Sequence, residues 1–556
     1  MQRSAACAQR SHPACPNTFT NRLASLGASG RCKGNMYRDL RRFVERHSHM
    51  ELQALNVKIP FLHSATGESK VIDHPVLLPH ETFHWLSKHH AAFDERILGG
   101  SPDASTAWWR GHSKAAWWPR HPARGLLEQG RCVAPLRLYG DDAEVRKGKS
   151  ALVLTWSSSA CKHLKTKDSR FLITSVNVSK DKDNKLALDE IYRVTQWSFQ
   201  ALERGVFPET DPDGEPWEPD SWRAQMAGKP LDSRRDCRAL LAEFMGDWKW
   251  IKECLGLKRH YGCRLCCHLC GAQNDRAPYA YDFGLDAAYL ETMITEDMWR
   301  LEFIILPWLA RIPGFSLLMC IPDPMHLVHL GVCLVTIGSA LFLLLQRGMF
   351  GVFGGKRSVR ISCGLAAAFI RFKSFAKRNG LKHSQHKFTI GMAGMSKPKK
   401  FPEMKAKAHN AAVIVQWLNY EVRRDPAASD LERSCLESLA GVLAMMHAKR
   451  SSEQFTATET MMFVQCGRAY LSSYSLLSSQ ARRLNVKLWP MRPKHHQMLH
   501  LVNMVRDTHA RPGWAFADED YNGQVLRALR GAPNLTTLGP RVVFSARFKL
   551  WRSVSV

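Results

Sequence analysis

Three acidic residues stand at the edges of apolar runs far apart in this chain: Asp141 in CVAPLRLYGDDAEV, Asp247 in CRALLAEFMGDWKW and Glu519 in HARPGWAFADED. Carboxylates of this kind, brought to one point by strand ends and a late helix, suit a two-metal phosphoryl-transfer site. Each Mg²⁺ (or Mn²⁺) takes hard oxygen ligands, and a pair of ions stabilises both the attacking and the leaving oxygen of an in-line displacement. The intervals are wide, with 106 residues from Asp141 to Asp247 and 272 from Asp247 to Glu519. Asp142 is an alternative first acid, because sequence alone does not say which of the two side chains points inward.

A second group of ligand-type residues follows Asp247 closely. Cys263, Cys266, Cys267 and Cys270, in YGCRLCCHLCGA, have the short C-x-x-C spacing of a structural Zn²⁺ site, with His260 and His268 beside them. One such knuckle supplies two ligands, so the second pair comes from the other half of the cluster or from elsewhere, with His326 and His329 as candidates; buried free thiols are the plain alternative. Further on, Asp323-Pro324-Met325-His326 opens the most apolar helix, where an N-cap Asp followed by Pro accounts for the string. PKHHQMLHLV carries Lys494, His495, His496 and His500, which suit either phosphate contact or a half-buried histidine face. DKDNKLALDEI lacks the turn Gly and terminal Glu of a calcium loop.

Lys and Arg number 78 against 50 Asp and Glu, a net charge of +28, in a chain that also holds 17 Trp and 25 Phe. That is the balance of a folded protein meeting a polyanion, and DNA is the first candidate partner. The densest basic run, KPKKFPEMKAKAH, offers Lys397, Lys399, Lys400, Lys405 and Lys407, together with Lys494 and His495 later, as nucleic-acid contacts; it also reads as a nuclear address. Trp108-Trp109 and Trp117-Trp118 lie among basic residues, a pattern shared by stacking platforms and ordinary packing. Sixteen cysteines without an evident secretory signal favour a reducing compartment. The stretch from Leu327 to Gln346 has the length of a membrane span, yet its His329 and the preceding acid motif favour a buried helix in a large domain.

The elements that would position these groups change along the chain. Residues 1–30 are left unassigned, as a basic arm or a leader, and 31–130 form a basic N-terminal region. Strands are expected at Val133–Tyr139, Ala151–Trp156, Arg170–Val178 and Cys237–Phe244, with a helix after the third in LALDEIYRVTQWSFQALERG. Three strands, a helix and a fourth strand, with acids at the ends of the first and fourth, is the order of a ribonuclease H-like core. The expected fold is therefore α+β or α/β: a mixed-sheet core over 131–260 and 491–556, interrupted by a Cys knuckle at 261–285 and a helical insertion at 286–490. Helical periodicity runs over 286–310, 324–348, 360–379, 408–424, 428–449 and 453–484. The string Tyr-Gly-Asp-Asp at 139–142 also occurs as the metal-binding hairpin of polymerase palms, but only 138 residues precede it, with no strand-end acid pair among them.

The joint order of LYGDDA, FMGDWKW, C-x-x-C-Gly-Ala, DPMH, PKHH and FADED resembles the CACTA or En/Spm-like DDE transposases of eukaryotes. The resemblance spans about residues 130 to 525. It implies a ribonuclease H-like core split by a helical insertion, Asp141, Asp247 and Glu519 as ligands of two Mg²⁺ ions, and Asp323 with His326 as the signature pair. It further implies DNA cleavage and strand transfer in the nucleus by a homo-oligomer on DNA, without a membrane. Cys263-x-x-Cys266 is additional to the family pattern, and Asp520 stands where the family has Arg. A catalytically inactive, transposase-derived DNA-binding or scaffold protein is the second expectation.

Overall fold

The computed structural model describes residues 52–62, 68–146, 149–161, 164–178, 182–320, 323–448, 454–510, 512–530 and 538–552. The expectations for residues 1–30 fall outside them. The architecture is mixed α+β, with a four-stranded mixed sheet and a large helical region.

Alternation of Val, Leu, Ile and aromatic side chains over short runs sets the sheet. Its strands are β3 (Val133–Arg146), β4 (Lys149–Ser158), β5 (Phe171–Val178) and β6 (Arg238–Gly246), in the order β5-β4-β3-β6. β3, β4 and β5 form an antiparallel meander, and β6 joins β3 in parallel after a crossover. A separate hairpin of β1 (Leu55–Leu62) and β2 (Ser69–Val76) precedes them, an element that the basic composition of the N-terminal region concealed. The crossover contains α1 (Lys182–Arg204), whose Ile191, Val194, Phe199 and Leu202 bury against Leu136, Leu138, Leu152 and Leu154 on one sheet face. The opposite face is covered by α9 (Phe516–Arg530) and α10 (Leu538–Arg552), where Tyr521, Val525 and Leu529 meet Ala151, Val153 and Leu172.

Two expectations about elements need correction. β3 does not stop at Tyr139: it continues through Asp141, paired with Val153, to Arg146. The Tyr-Gly-Asp-Asp string is thus mid-strand, which removes the hairpin geometry a palm requires. The segment 286–310 is a chain of short turns, with helical residues only at Ala288–Thr292, Glu296–Arg300 and Trp308–Arg311. The apolar spacing there does not serve burial, since Leu301, Ile304 and Ile305 are solvent-exposed, and Pro307 removes a backbone donor from any continuous helix.

The helical region contains a π-helical turn, Met325–Val332, leading into α3 (Cys333–Gln346), then α4 (Arg357–Arg378), α5 (Ala408–Arg424), α6 (Asp430–Ala448), α7 (Ala457–Arg483) and α8 (Pro493–Thr508). Met325–Gln346 is long and apolar enough to cross a membrane by composition, but 72% of its most apolar window is buried within the protein. Its Leu327, Val335, Ile337 and Leu341 belong to the same core as Trp417, Leu439 and Tyr470.

Candidate functional site

Asp141 and Glu519 lie on the α9 side of the sheet, and Asp247 is near enough for its charge to act on Asp141. Side chains alternate along β3, so Tyr139 and Asp141 share one face while Asp142 points to the other. Asp141 is buried, whereas Asp142 pairs with Lys249 Nζ at 2.6 Å. Asp247 follows β6 directly and caps α2 (Trp248–Cys254), its Oδ1 accepting the Trp250 N–H at 2.6 Å. Glu519 lies in the first turn of α9, and its Oε1 accepts the Tyr139 hydroxyl at 2.8 Å. One turn later Asn522 Nδ2 donates to Asp141 Oδ2 at 3.4 Å. Burial, followed by the like charges of Glu519 and Asp247, pushes the Asp141 carboxyl well above its ordinary pKa, with His326 opposing. Glu519 and Asp247 thus place like charge beside the Asp141 carboxyl.

The end of the β3–β6 pairing is shaped by a glycine pair. Gly140 and Gly246 are partners in the β3–β6 register, and the Trp250 indole lies over both. A Cβ at Gly140 would stand 2.2 Å from that ring, and one at Gly246 would stand 2.4 Å from it. The indole is buried, stacks on Phe244 with ring centroids 5.1 Å apart, and donates Nε1–H to Tyr192 at 3.1 Å. The Gly-Asp in each strand, where the β3–β6 pairing ends, therefore has a physical reason: the glycine admits the tryptophan, and the aspartate follows it beside the site.

Asp323 and His326 join the acids. Asp323 is buried; Oδ2 accepts the His326 backbone N–H at 2.9 Å and contacts its Nδ1 at 2.9 Å, while Oδ1 accepts Ala515 N–H at 2.7 Å. The capping role read from sequence holds locally, and the second oxygen reaches 192 residues along the chain to the turn before α9. His326 Nε2 is 3.3 Å from Glu519 Oε1. Burial disfavours the imidazolium, but the hydrogen bonds and charges of Asp323 and Glu519 outweigh it and raise the pKa to about 10. A protonated His326 thus bridges two carboxylates.

Beneath this layer lies a buried ion network. Arg137 Nη2 donates to Glu243 Oε2 at 2.7 Å and its Nη1 to Asp518 Oδ2 at 3.3 Å; Arg170 Nε donates to Asp518 Oδ1 at 3.0 Å. Asp518, adjacent to Glu519, is thereby anchored to β3 and to the start of β5. A buried pair of this kind orients its neighbours more than it stabilises the fold.

A second site has a different composition. Cys267, Cys270, His496 and His500 are all buried, and their four ligand atoms lie within 4.8 Å of one another. Cys270 Sγ is 3.2 Å from His496 Nε2 and 3.5 Å from His500 Nε2, and Cys267 Sγ is 3.4 Å from His500 Nε2. Such a quartet can bind a metal ion such as zinc, with four ligands and no open position. His496 Nδ1 contacts Ala280 O at 2.8 Å, which fixes the ring with Nε2 facing the sulfurs.

The structure divides the expected cysteine set. Cys267 and Cys270 are together, whereas Cys263 lies 3.0 Å from His260 and Cys266 Sγ contacts Ala272 O at 3.5 Å. The second ligand pair is neither His326, which belongs to the carboxylates, nor His329, whose Nδ1 faces Pro324 O. It is His496 and His500, one turn apart on α8, and an H-x-x-x-H on a helix was the signal available in sequence.

Among the expected nucleic-acid contacts, Lys397, Lys399, Lys400, Lys405 and Lys407 are exposed. Lys494 is half-buried and His495 buried. Lys494 Nζ donates to His326 O at 2.8 Å and Leu330 O at 3.2 Å, and His495 is fully buried against Tyr474. Trp108 and Trp109 are buried too, with Trp109 Nε1 donating to Val133 O at 2.9 Å, so this pair packs rather than stacks on a ligand. No family model and no curated protein matches the chain.

Proposed function

We propose that this protein is a DDE-type polynucleotidyl transferase of the CACTA or En/Spm-like transposase kind, built on a ribonuclease H-like core and acting on DNA in the nucleus. The observation that carries the reading is that Asp247, 106 residues after Asp141, and Glu519, 272 residues after Asp247, come near enough for their charges to act on Asp141, beside a sheet with strand order β5-β4-β3-β6. A buried Asp141 carboxyl with two half-buried acids beside it, whose like charges disfavour its ionised form, is costly unless the arrangement serves a ligand.

Asp141, Asp247 and Glu519 would hold two Mg²⁺ or Mn²⁺ ions, and their all-oxygen donor set fits hard cations. When bound, such ions stabilise charge on the attacking and leaving oxygens of a phosphodiester as water or a 3′-hydroxyl displaces it. The chain's own residues prepare that site. Tyr139 and His326 orient Glu519 from two sides through the same oxygen, leaving Oε2 for a ligand role. Asp323 keeps His326 charged and fixes the loop before α9. The exposed lysines from Lys397 to Lys407 supply phosphate contacts, so binding weakens steeply with salt. Zinc at Cys267, Cys270, His496 and His500 serves structure.

The test is divalent-dependent nicking of supercoiled DNA by wild type, Asp247→Asn and Glu519→Gln. Each variant loses about 10²-fold or more, the scale of removing one charge-stabilising group at a reacting centre. Equal activity in all three ends the enzyme assignment. Salt-sensitive DNA binding with no nicking by wild type favours the second reading, an inactive transposase-derived DNA-binding or scaffold protein.

A further inference from the structure

Cys132 precedes β3 by one residue and Cys237 precedes β6 by one residue. The parallel ladder pairs Val133 with Arg238, and Arg238 N–H donates to Cys132 O at 2.9 Å, so the two cysteines are neighbours at the mouth of the ladder. Their sulfurs are 3.0 Å apart. Neighbouring strands bring Cα atoms to roughly 4.8 Å, inside the range a disulfide spans. This end of the sheet is opposite the end that carries Asp141 and Asp247.

We propose that Cys132 and Cys237 are a peroxide-sensitive dithiol that closes to a reversible disulfide, covalently joining the two strands that carry the first two acids.

The two thiols differ as a reactive pair requires. Cys132 is half-buried and reachable from solvent, while Cys237 is buried. Hydrogen bonding with Cys237 lowers the Cys132 pKa, with burial, Asp232 and Asp94 opposing and Arg235 assisting; burial and the Cys132 contact raise that of Cys237. A low-pKa, accessible thiol beside a resolving cysteine is the arrangement that oxidation selects. The Cys132 thiolate attacks one oxygen of a hydroperoxide, giving a sulfenic acid and releasing hydroxide, which is protonated to water. The Cys237 sulfur then attacks the sulfenic sulfur, its proton leaves with the expelled hydroxide as a second water, and the S–S bond forms. Two electrons pass from the two thiols to one hydrogen peroxide.

The experiment treats the full-length protein with hydrogen peroxide, blocks remaining thiols with iodoacetamide, digests with trypsin and maps the cysteines by mass spectrometry. Cleavage after Arg131, Arg137, Arg235 and Arg238 releases residues 132–137 joined to 236–238. That cross-linked species, two hydrogens lighter than its separate peptides and lost on treatment with dithiothreitol, is the expected result, with a higher melting temperature for the oxidised protein. Arg235→Gln keeps both thiols, and it should form the cross-link more slowly. Cys237→Ser should instead leave Cys132 as a sulfenic acid that a dimedone probe captures. The proposal is overturned if peroxide modifies exposed Cys363 while peptides 132–137 and 236–238 are recovered separately alkylated. Over-oxidation of Cys132 in wild type without the cross-link overturns it equally.

Discussion

A methyl group added at Gly140 or Gly246 should loosen the end of the sheet where Asp141 and Asp247 stand. At Gly140 the new Cβ would meet Trp250 Cε2 at 2.2 Å and Cζ2 at 2.3 Å, well inside the 3.4–4 Å of ordinary contact. The indole has nowhere to retreat, since it is 2% exposed, stacked on Phe244 and hydrogen-bonded to Tyr192. Overpacking a filled core costs about 1–3 kcal/mol. At Gly246 the intruding atom meets the ring at 2.4 Å and the Gly140 carbonyl oxygen at 2.5 Å, so backbone as well as side chain must move, and the cost reaches the upper end of that range. Hydrogen–deuterium exchange of peptides covering β3, β6 and α2 reads this locally: loss of about 1–3 kcal/mol speeds exchange through local opening by roughly 5- to 150-fold. Trp250→Leu opens the space, so Gly140→Ala combined with Trp250→Leu should cost less than the sum of the single changes, with a coupling of about 1–2 kcal/mol. For Gly246→Ala the coupling should be smaller, because the carbonyl contact survives. Additive cycles at both glycines, or unchanged exchange in Gly140→Ala, would refute the idea that the indole seats the end of the β3–β6 pairing.

Three further outcomes are expected. Purified protein should carry about one tightly held metal ion per chain by elemental analysis; Cys270→Ser and His500→Ala should lose it, whereas Cys263→Ser and Cys266→Ser should retain it. Asp142→Asn should keep nicking activity and shift stability by less than about 1 kcal/mol, because its partner Lys249 is half exposed, while Asp141→Asn should abolish nicking; the reverse pattern would reassign the first acid. Glu243 gives a pH test. Burial alone would raise its pKa, but Arg137 and the Ser159 and Arg137 hydrogen bonds outweigh it and hold it below the ordinary value. A depressed acid contributes stability that is complete above its unfolded pKa and lost as pH falls through the folded one. The melting-temperature gap between wild type and Glu243→Gln should therefore be wide near neutral pH and shrink progressively as pH falls below the ordinary carboxylate range.

The strands of the sheet were legible because runs such as Leu152–Trp156 are rich in strand-forming side chains and bounded by charged turns. The extent of β3 was not, because Gly-Asp-Asp is also what a turn looks like; only the three-dimensional need for space under Trp250 explains the glycine inside a strand. The helices from Arg357 to Arg483 followed their apolar periodicity, since there the period does serve one buried core. At 286–310 the same period misled, because Leu301, Ile304 and Ile305 face solvent and periodicity carries no information on whether a face is covered. The first half of the Cys2His2 quartet was visible as C-x-x-C, but the pairing of Cys270 with His496 spans 226 residues, and the H-x-x-x-H spacing marks a ligand pair without saying which cysteines it joins. The basic character of Lys494 pointed to a surface, yet its ammonium is engaged by two backbone carbonyls.

That last contact connects the two sites. α8 carries both histidines of the quartet and also Lys494, which sits two residues before His496 and donates to the carbonyls of His326 and Leu330. These carbonyls belong to the π-helical turn Met325–Val332, where the usual ladder of hydrogen bonds is widened and acceptors are left for other donors. A metal ion held by Cys267, Cys270, His496 and His500 would fix the position of α8, and so hold the ammonium against the turn that presents His326 to Glu519. Burial lowers the Lys494 pKa, with Glu403 first among the acids opposing that shift. The chain thus ties the late acid of the sheet to the helical region twice: once through Asp323 and the Ala515 amide, and once through His326 held from behind by α8. On this geometry Lys494→Met should leave the bound metal in place and the fold intact while freeing His326. Loss of metal in that variant would mean that the lysine supports α8 itself rather than the turn beside it.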